Sequence, residues 1–223
     1  MTRQTVLTLA LAILGLTGCG NRHQAPGPSV SDVKKPARPI YQIRYDRDES
    51  PARREVEVKL DRKVTPEELR EIALKVKAGE ERSHERTVIF YYLPVDFPEL
   101  AGQPWASTHF KPELEVKILG LSRDEEDALR SLRIETKGRR IGAWLQDNPY
   151  KTLDLIYDDG GIKIAEISTT GSRVDSDMIE LESPKGRRFK KVQGRNFYDV
   201  DLDGNLRVSN AEGQIISAAK PMR

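Results

Sequence analysis

From residue 137 onward the chain is punctuated by turn formers: DDGG (158–161), TTGS (169–172), SPKG (183–186), DLDGN (201–205) and NAEG (210–213). They recur every eight to fifteen residues, and the runs between them (TLDLIYD, IKIAEI, DMIELE, NFYDVDL, QIISAA) are short and of β type. Gly, Asn and Asp supply the tight-turn conformations that return one strand onto the next. The spacing predicts an antiparallel β-meander over 136–223, closing as a small barrel or sandwich, with no helix in it.

The segment 40–135 reads differently. In REVEVKLD (54–61), Val56, Val58 and Leu60 alternate with Glu55, Glu57 and Lys59, which is a half-buried strand. TPEELREIALKVKAG (65–79) has the signals of a helix start and stop: Thr65 and Glu68 as a capping box, Pro66 in the first turn and Gly79 at the end. Its apolar stripe is Leu69, Ile72, Ala73 and Val76. TVIFYYLP (87–94), WASTHF (105–110) and ELEVKILG (113–120) are further strands, and SRDEEDALRSL (122–132) opens a short helix with a second capping box, Ser122 with Glu125. The expected order is strand, strand, helix, strand, strand, strand, helix. The fold class is therefore α+β: a small mixed-sheet domain with one main helix (40–135), followed by an all-β antiparallel domain (136–223).

The first residues, MTRQTVLTLALAILGLTGCG, combine an early Arg3, an apolar run from Val6 to Leu16 and a small-residue exit, which is the pattern of a secretory signal peptide. The eleven residues of this run cover roughly half of a ~30 Å hydrocarbon core, too little for a permanent span. Leu16-Thr17-Gly18-Cys19 resembles the lipobox of bacterial lipoproteins. That resemblance implies a diacylglycerol on the Cys19 sulfur, recognition of Leu16, Thr17 and Gly18, and removal of residues 1–18. Two or three acyl chains, at ~0.8 kcal/mol per buried CH₂, anchor a protein lastingly. Cys19 is the single cysteine, so no disulfide forms within the chain. By the same resemblance, Gly20 rather than Asp after the cysteine favours an outer membrane where the cell has one. Residues 19–39, with four prolines and two glycines between 20 and 39, read as a lipidated flexible tether. Its root-mean-square reach is about 25 Å.

Two blocks carry a further resemblance. ERTVIFYYLP with WASTHFKPELEVKILG, and IGAWLQDNPY with GRRF (186–189) and DGNLRVSNAEGQI (203–215), resemble the two parts of a recurring type of uncharacterised bacterial protein. The resemblance implies the two-part architecture and no catalytic residue. VDFPELAGQP (95–104) is a longer loop than that type carries.

Lys+Arg 37 against Asp+Glu 35 leaves a net charge of +2, without the basic excess that recruits nucleic acid. Asp199, Asp201, Asp203 and Gly204 match the start of a calcium loop, but its twelfth position is Asn210, and the same aspartates alternate with Tyr198, Val200 and Leu202 as the wet face of a strand. Ser107 and His109 share one strand face without a nucleophile elbow or a placed acid. The three histidines are scattered without zinc-site spacing. KGRRFKK (185–191) reads as a solvated hairpin anchored by Phe189, with docking on anionic lipid or envelope polymer as the alternative. Trp144, Arg187 and Arg188 are the candidate ligand or partner contacts. The functional expectation is a membrane-anchored envelope lipoprotein acting as a non-catalytic binding or scaffolding module for an envelope protein or polymer. An envelope hydrolase and a small-ligand carrier using the β domain are the alternatives.

Overall fold

Thr65 accepts a hydrogen bond from the Glu68 amide at 3.2 Å, and the Glu68 carboxylate accepts one from the Thr65 amide at 2.8 Å. This reciprocal cap starts helix α1, Pro66–Ala78, which ends where the Gly79 amide donates to the Lys75 carbonyl at 3.3 Å. Removing the cap oxygen leaves an orphan amide, so Thr65→Ala lowers stability by about 1 kcal/mol; chemical denaturation measures it, and an unchanged midpoint would mean that the cap is idle.

The structure is a computed structural model that describes residues 40–222. Strands β1 (Tyr41–Ser50), β2 (Arg53–Leu60), β3 (Arg86–Tyr92), β4 (Ala106–Phe110) and β5 (Leu114–Ile118) form one sheet in that order. Only the β2–β3 pair is parallel, because α1 is the crossover between them. Val56, Val58 and Leu60 are fully buried beneath Leu69, Ile72, Ala73 and Val76 of α1, with Tyr91, Trp105 and Phe110 completing this core.

The chain then forms helix α2 (Arg123–Ser131) and eight strands: β6 (Arg139–Gln146), β7 (Thr152–Asp158), β8 (Ile162–Ser168), β9 (Arg173–Leu181), β10 (Gly186–Lys191), β11 (Phe197–Asp201), β12 (Leu206–Ser209) and β13 (Ile215–Ala219). Each pairs antiparallel with the next in chain order, as the turn spacing predicts. The two edges meet through a bridge between Trp144 and Pro221 and a bond from the Met222 amide to the Ala143 carbonyl at 2.8 Å. Among the described residues no helix lies beyond Ser131, so the meander is a nearly closed eight-stranded barrel. A barrel of that size is just filled by its own side chains, here Trp144, Ile156, Ile164, Met178, Phe189 and Tyr198 among others.

β7 buries residues on both faces: Ile156 points inward, while Leu153, Leu155 and Tyr157 point outward. The outward set needs a cover, and α2 supplies it through Leu129, with Leu121 beside it. Helix α2 thus packs on the barrel. Lys63 ties the first sheet to this layer, 2.9 Å from Glu126 and 2.8 Å from Asp147. The 95–104 loop reaches the barrel too: Phe97 is buried under Arg207, and Glu99 pairs with Arg207 at 2.7 Å.

Candidate functional site

KGRRFKK runs from the turn after β9 into strand β10, one arm of a hairpin with β9, and β11 pairs on its other side. Alternation puts Phe189 inside the barrel, fully buried, and Arg188 outside. Three of the basic side chains have acidic neighbours on adjacent or nearby strands: Arg187 with Glu180 at 2.6 Å, Arg188 with Asp199 at 3.4 Å and Lys191 with Glu166 at 2.5 Å.

Arg187 and Arg188 open onto a cleft of about 530 Å³ at the end of β10, lined also by Pro184, Val200 and Ile215. Arg187 is held by both oxygens of Glu180, at 2.6 and 2.7 Å, which lowers that carboxyl. Arg207 is shared between Glu99 (2.7 Å) and Asp201 (2.6 Å). Arg188 differs. Its guanidinium lies over the Phe197 ring at 4.5 Å, and its buried Nε has no hydrogen-bond partner, since Asp199 lies off the bonding direction. Burial lifts the Asp199 carboxyl above its ordinary value, against the pull of Arg188 and Arg207. This is the least satisfied charge pair in the cleft.

The aspartates of the calcium-loop match, Asp199, Asp201 and Asp203, sit in different surroundings. Both oxygens of Asp201 are engaged: Oδ1 by the Asp203 and Asn205 amides, Oδ2 by Asn205 Nδ2 and Arg207. Asp201 therefore organises the turn, with Gly204 at φ 82°, while Asp203 is exposed. Asn210 accepts the Gln214 amide at 2.8 Å. Trp144 is a core residue rather than a surface contact. It is 1 % exposed and donates to the Gly204 carbonyl at 2.8 Å. The space for its ring exists because residue 142 is glycine: a Cβ there would lie 2.3 Å from the indole. His109 Nε2 and Ser107 Oγ are 3.2 Å apart on the face of the first sheet away from α1. Glu115 is the cross-strand neighbour of His109, and burial holds the imidazole below its ordinary value. Cys19, Leu16, Thr17 and Gly18 lie outside the described residues.

Two buried polar clusters escaped the sequence reading. Inside the barrel, Asp154 is 2 % exposed, and burial pushes its carboxyl from 3.8 to about 7, with the charge on Glu166 adding to the rise. Thr152 donates to it at 2.7 Å; Gln146 lies beside it, with an Nε2 that finds no well-aligned acceptor and an Oε1 that accepts from Ser217. In the first sheet, Arg54 is buried and bonds Asp46 at 2.8 and 2.6 Å, the Val76 carbonyl at 3.1 Å and Glu80 at 3.2 Å. His84 joins this network through Asp48 at 3.1 Å.

No family model, no curated protein and no solved structure matches this chain.

Proposed function

We propose that the protein is a lipid-anchored module of the bacterial cell envelope that binds or scaffolds a partner without catalysing a reaction. The observation that carries this reading is Leu16-Thr17-Gly18-Cys19 set directly after an apolar run of eleven residues. Lipid on Cys19 holds the body at a membrane, the outer one where the cell has two, and residues 19–39 give it reach. The architecture supports a binding role: a filled barrel fixes the strands, and the arginine-lined cleft lies on that rigid wall. Trp144, Phe189 and Tyr198 fill the barrel interior, so a small ligand would lie in the cleft and not inside the barrel. The rival reading, an envelope hydrolase, has one observation in its favour. Asp154 beside Glu166 is a carboxyl pair with one member raised, as in acid–base sites. It requires the barrel end to open, because Asp154 and Gln146 are sealed from solvent.

Cross-linking in native membranes tests the proposal. A partner captured with the wild-type chain and lost with Cys19→Ala is expected. Equal capture by both, or none by either, would overturn it.

A further inference from the structure

The cleft at the end of β10 has an imbalance that its own residues do not resolve. Arg187 is neutralised by Glu180, and Arg207 by Glu99 and Asp201. Arg188 is left with a misaligned carboxylate at 3.4 Å, and the Lys185 ammonium at the cleft rim is exposed. An oxyanion in the cleft would give Arg188 the aligned acceptor that it lacks, and a fork of guanidinium donors suits the two oxygens of a carboxylate or phosphate. The Phe197 ring under the guanidinium, 4.5 Å away, is a cation–π contact that helps to hold it at the cleft. Asp199 is the complementary half. It is a half-buried carboxyl, raised by desolvation, whose partner is off direction. A hydroxyl donor on the same ligand would serve it. Pro184 and Ile215 line the same cleft and offer it apolar surface, which suits the C–H face of a pyranose ring.

We infer that this cleft binds an acidic sugar, a pyranose carrying a carboxylate or phosphate, with Arg188 and Lys185 on the oxyanion and Asp199 on a ring hydroxyl. The inference rests on the binding-module reading and names the ligand class for it.

Calorimetric titration of the full chain in non-ionic detergent tests it, with glucuronate, glucose 6-phosphate, glucose and inorganic phosphate as probes. The two sugar acids separate a carboxylate source from a phosphate source, and binding of either supports the inference. The expected result is binding in the millimolar range or tighter, at least about tenfold stronger than glucose or inorganic phosphate. Arg188→Ala is expected to weaken the sugar acid by at least about tenfold, and Asp199→Ala to erase its advantage over inorganic phosphate. If Arg188→Ala fails to fold by circular dichroism, the exposed Lys185→Ala carries the test, with a loss of several-fold. Glucose binding as well as glucuronate, inorganic phosphate binding as well as the sugar acids, unchanged affinity in folded Arg188→Ala, or no heat from any probe at about 10 mM would each overturn it. Those failures leave Cys19-dependent partner capture untouched, so they are distinguishable from failure of the module itself.

Discussion

Asp154→Asn is expected to stabilise the protein above neutral pH and to remove most of the pH dependence of its stability between pH 5 and 8.5. The carboxyl titrates at about 7 in the folded chain against 3.8 ordinarily, because burial inside the barrel disfavours the anion. The folded state therefore holds its proton longer than the unfolded state. Stability is complete below pH 3.8 and is lost as pH rises through 7. From pH 5 to 8.5 the wild type loses on the order of 2–3 kcal/mol from this group. Asn is neutral at every pH, keeps an acceptor for Thr152 and forfeits none of this. The carboxylates held low by ion pairs or capping bonds, such as Glu68, Glu125 and Glu180, act in the other direction, but their contribution is already complete above about pH 5. Asp199 and His109 are common to both proteins and cancel in the difference. Urea unfolding at pH 5 and pH 8.5 gives the four free energies. Parallel pH dependence in the two proteins would show that Asp154 ionises freely and faces water.

Phe189→Ala is expected to cost about 3–5 kcal/mol, the range for a buried ring removed to the Cβ. The side chain is fully buried at the middle of the barrel, between its neighbours Glu180 and Tyr198 on the flanking strands, with Arg187 above the ring at 4.9 Å. Strand spacing in a closing barrel is set by backbone hydrogen bonds, so the wall cannot collapse into the void. Phe189→Leu keeps most of the volume and is expected to cost about 1 kcal/mol. Denaturant midpoints at constant slope measure both. A loss near zero for the alanine variant would place the ring outside the core.

Much of this architecture is legible where local and tertiary preferences agree. Val56, Val58 and Leu60 alternate in the sequence and are buried in the sheet; Thr65 and Ser122 announce helix starts that form with both capping bonds in place. The turn spacing after residue 137 gives the meander because each turn joins neighbouring strands. Illegible features depend on distant partners. Strand β12 has four residues, too few for a period, and its place is set by β11 and β13. The docking of α2 on the barrel depends on the outward apolar face of β7, which one strand's pattern does not assign to a cover.

The site residues divide in the same way. Arg187 and Arg188 were visible as a dense basic stretch, but which arginine lacks a partner is decided by Glu180 and Asp199 on other strands. Signals for the missed clusters were present. Arg54 shares the parity of Val56, Val58 and Leu60, so its burial follows from the alternation, and Asp154 interrupts the apolar run TLDLIYD. A charged residue on a buried parity marks a network whose partners the sequence does not name.

The central claim is the lipid anchor, and the intact mass of the protein recovered from the membrane fraction tests it most directly. The account predicts a chain that begins at Cys19, lacks residues 1–18 and carries at least a diacylglycerol on the sulfur, and predicts that Cys19→Ala abolishes the acyl mass. A free Cys19 thiol, whether on the chain with residues 1–18 attached or on a trimmed chain in the soluble fraction, would contradict it.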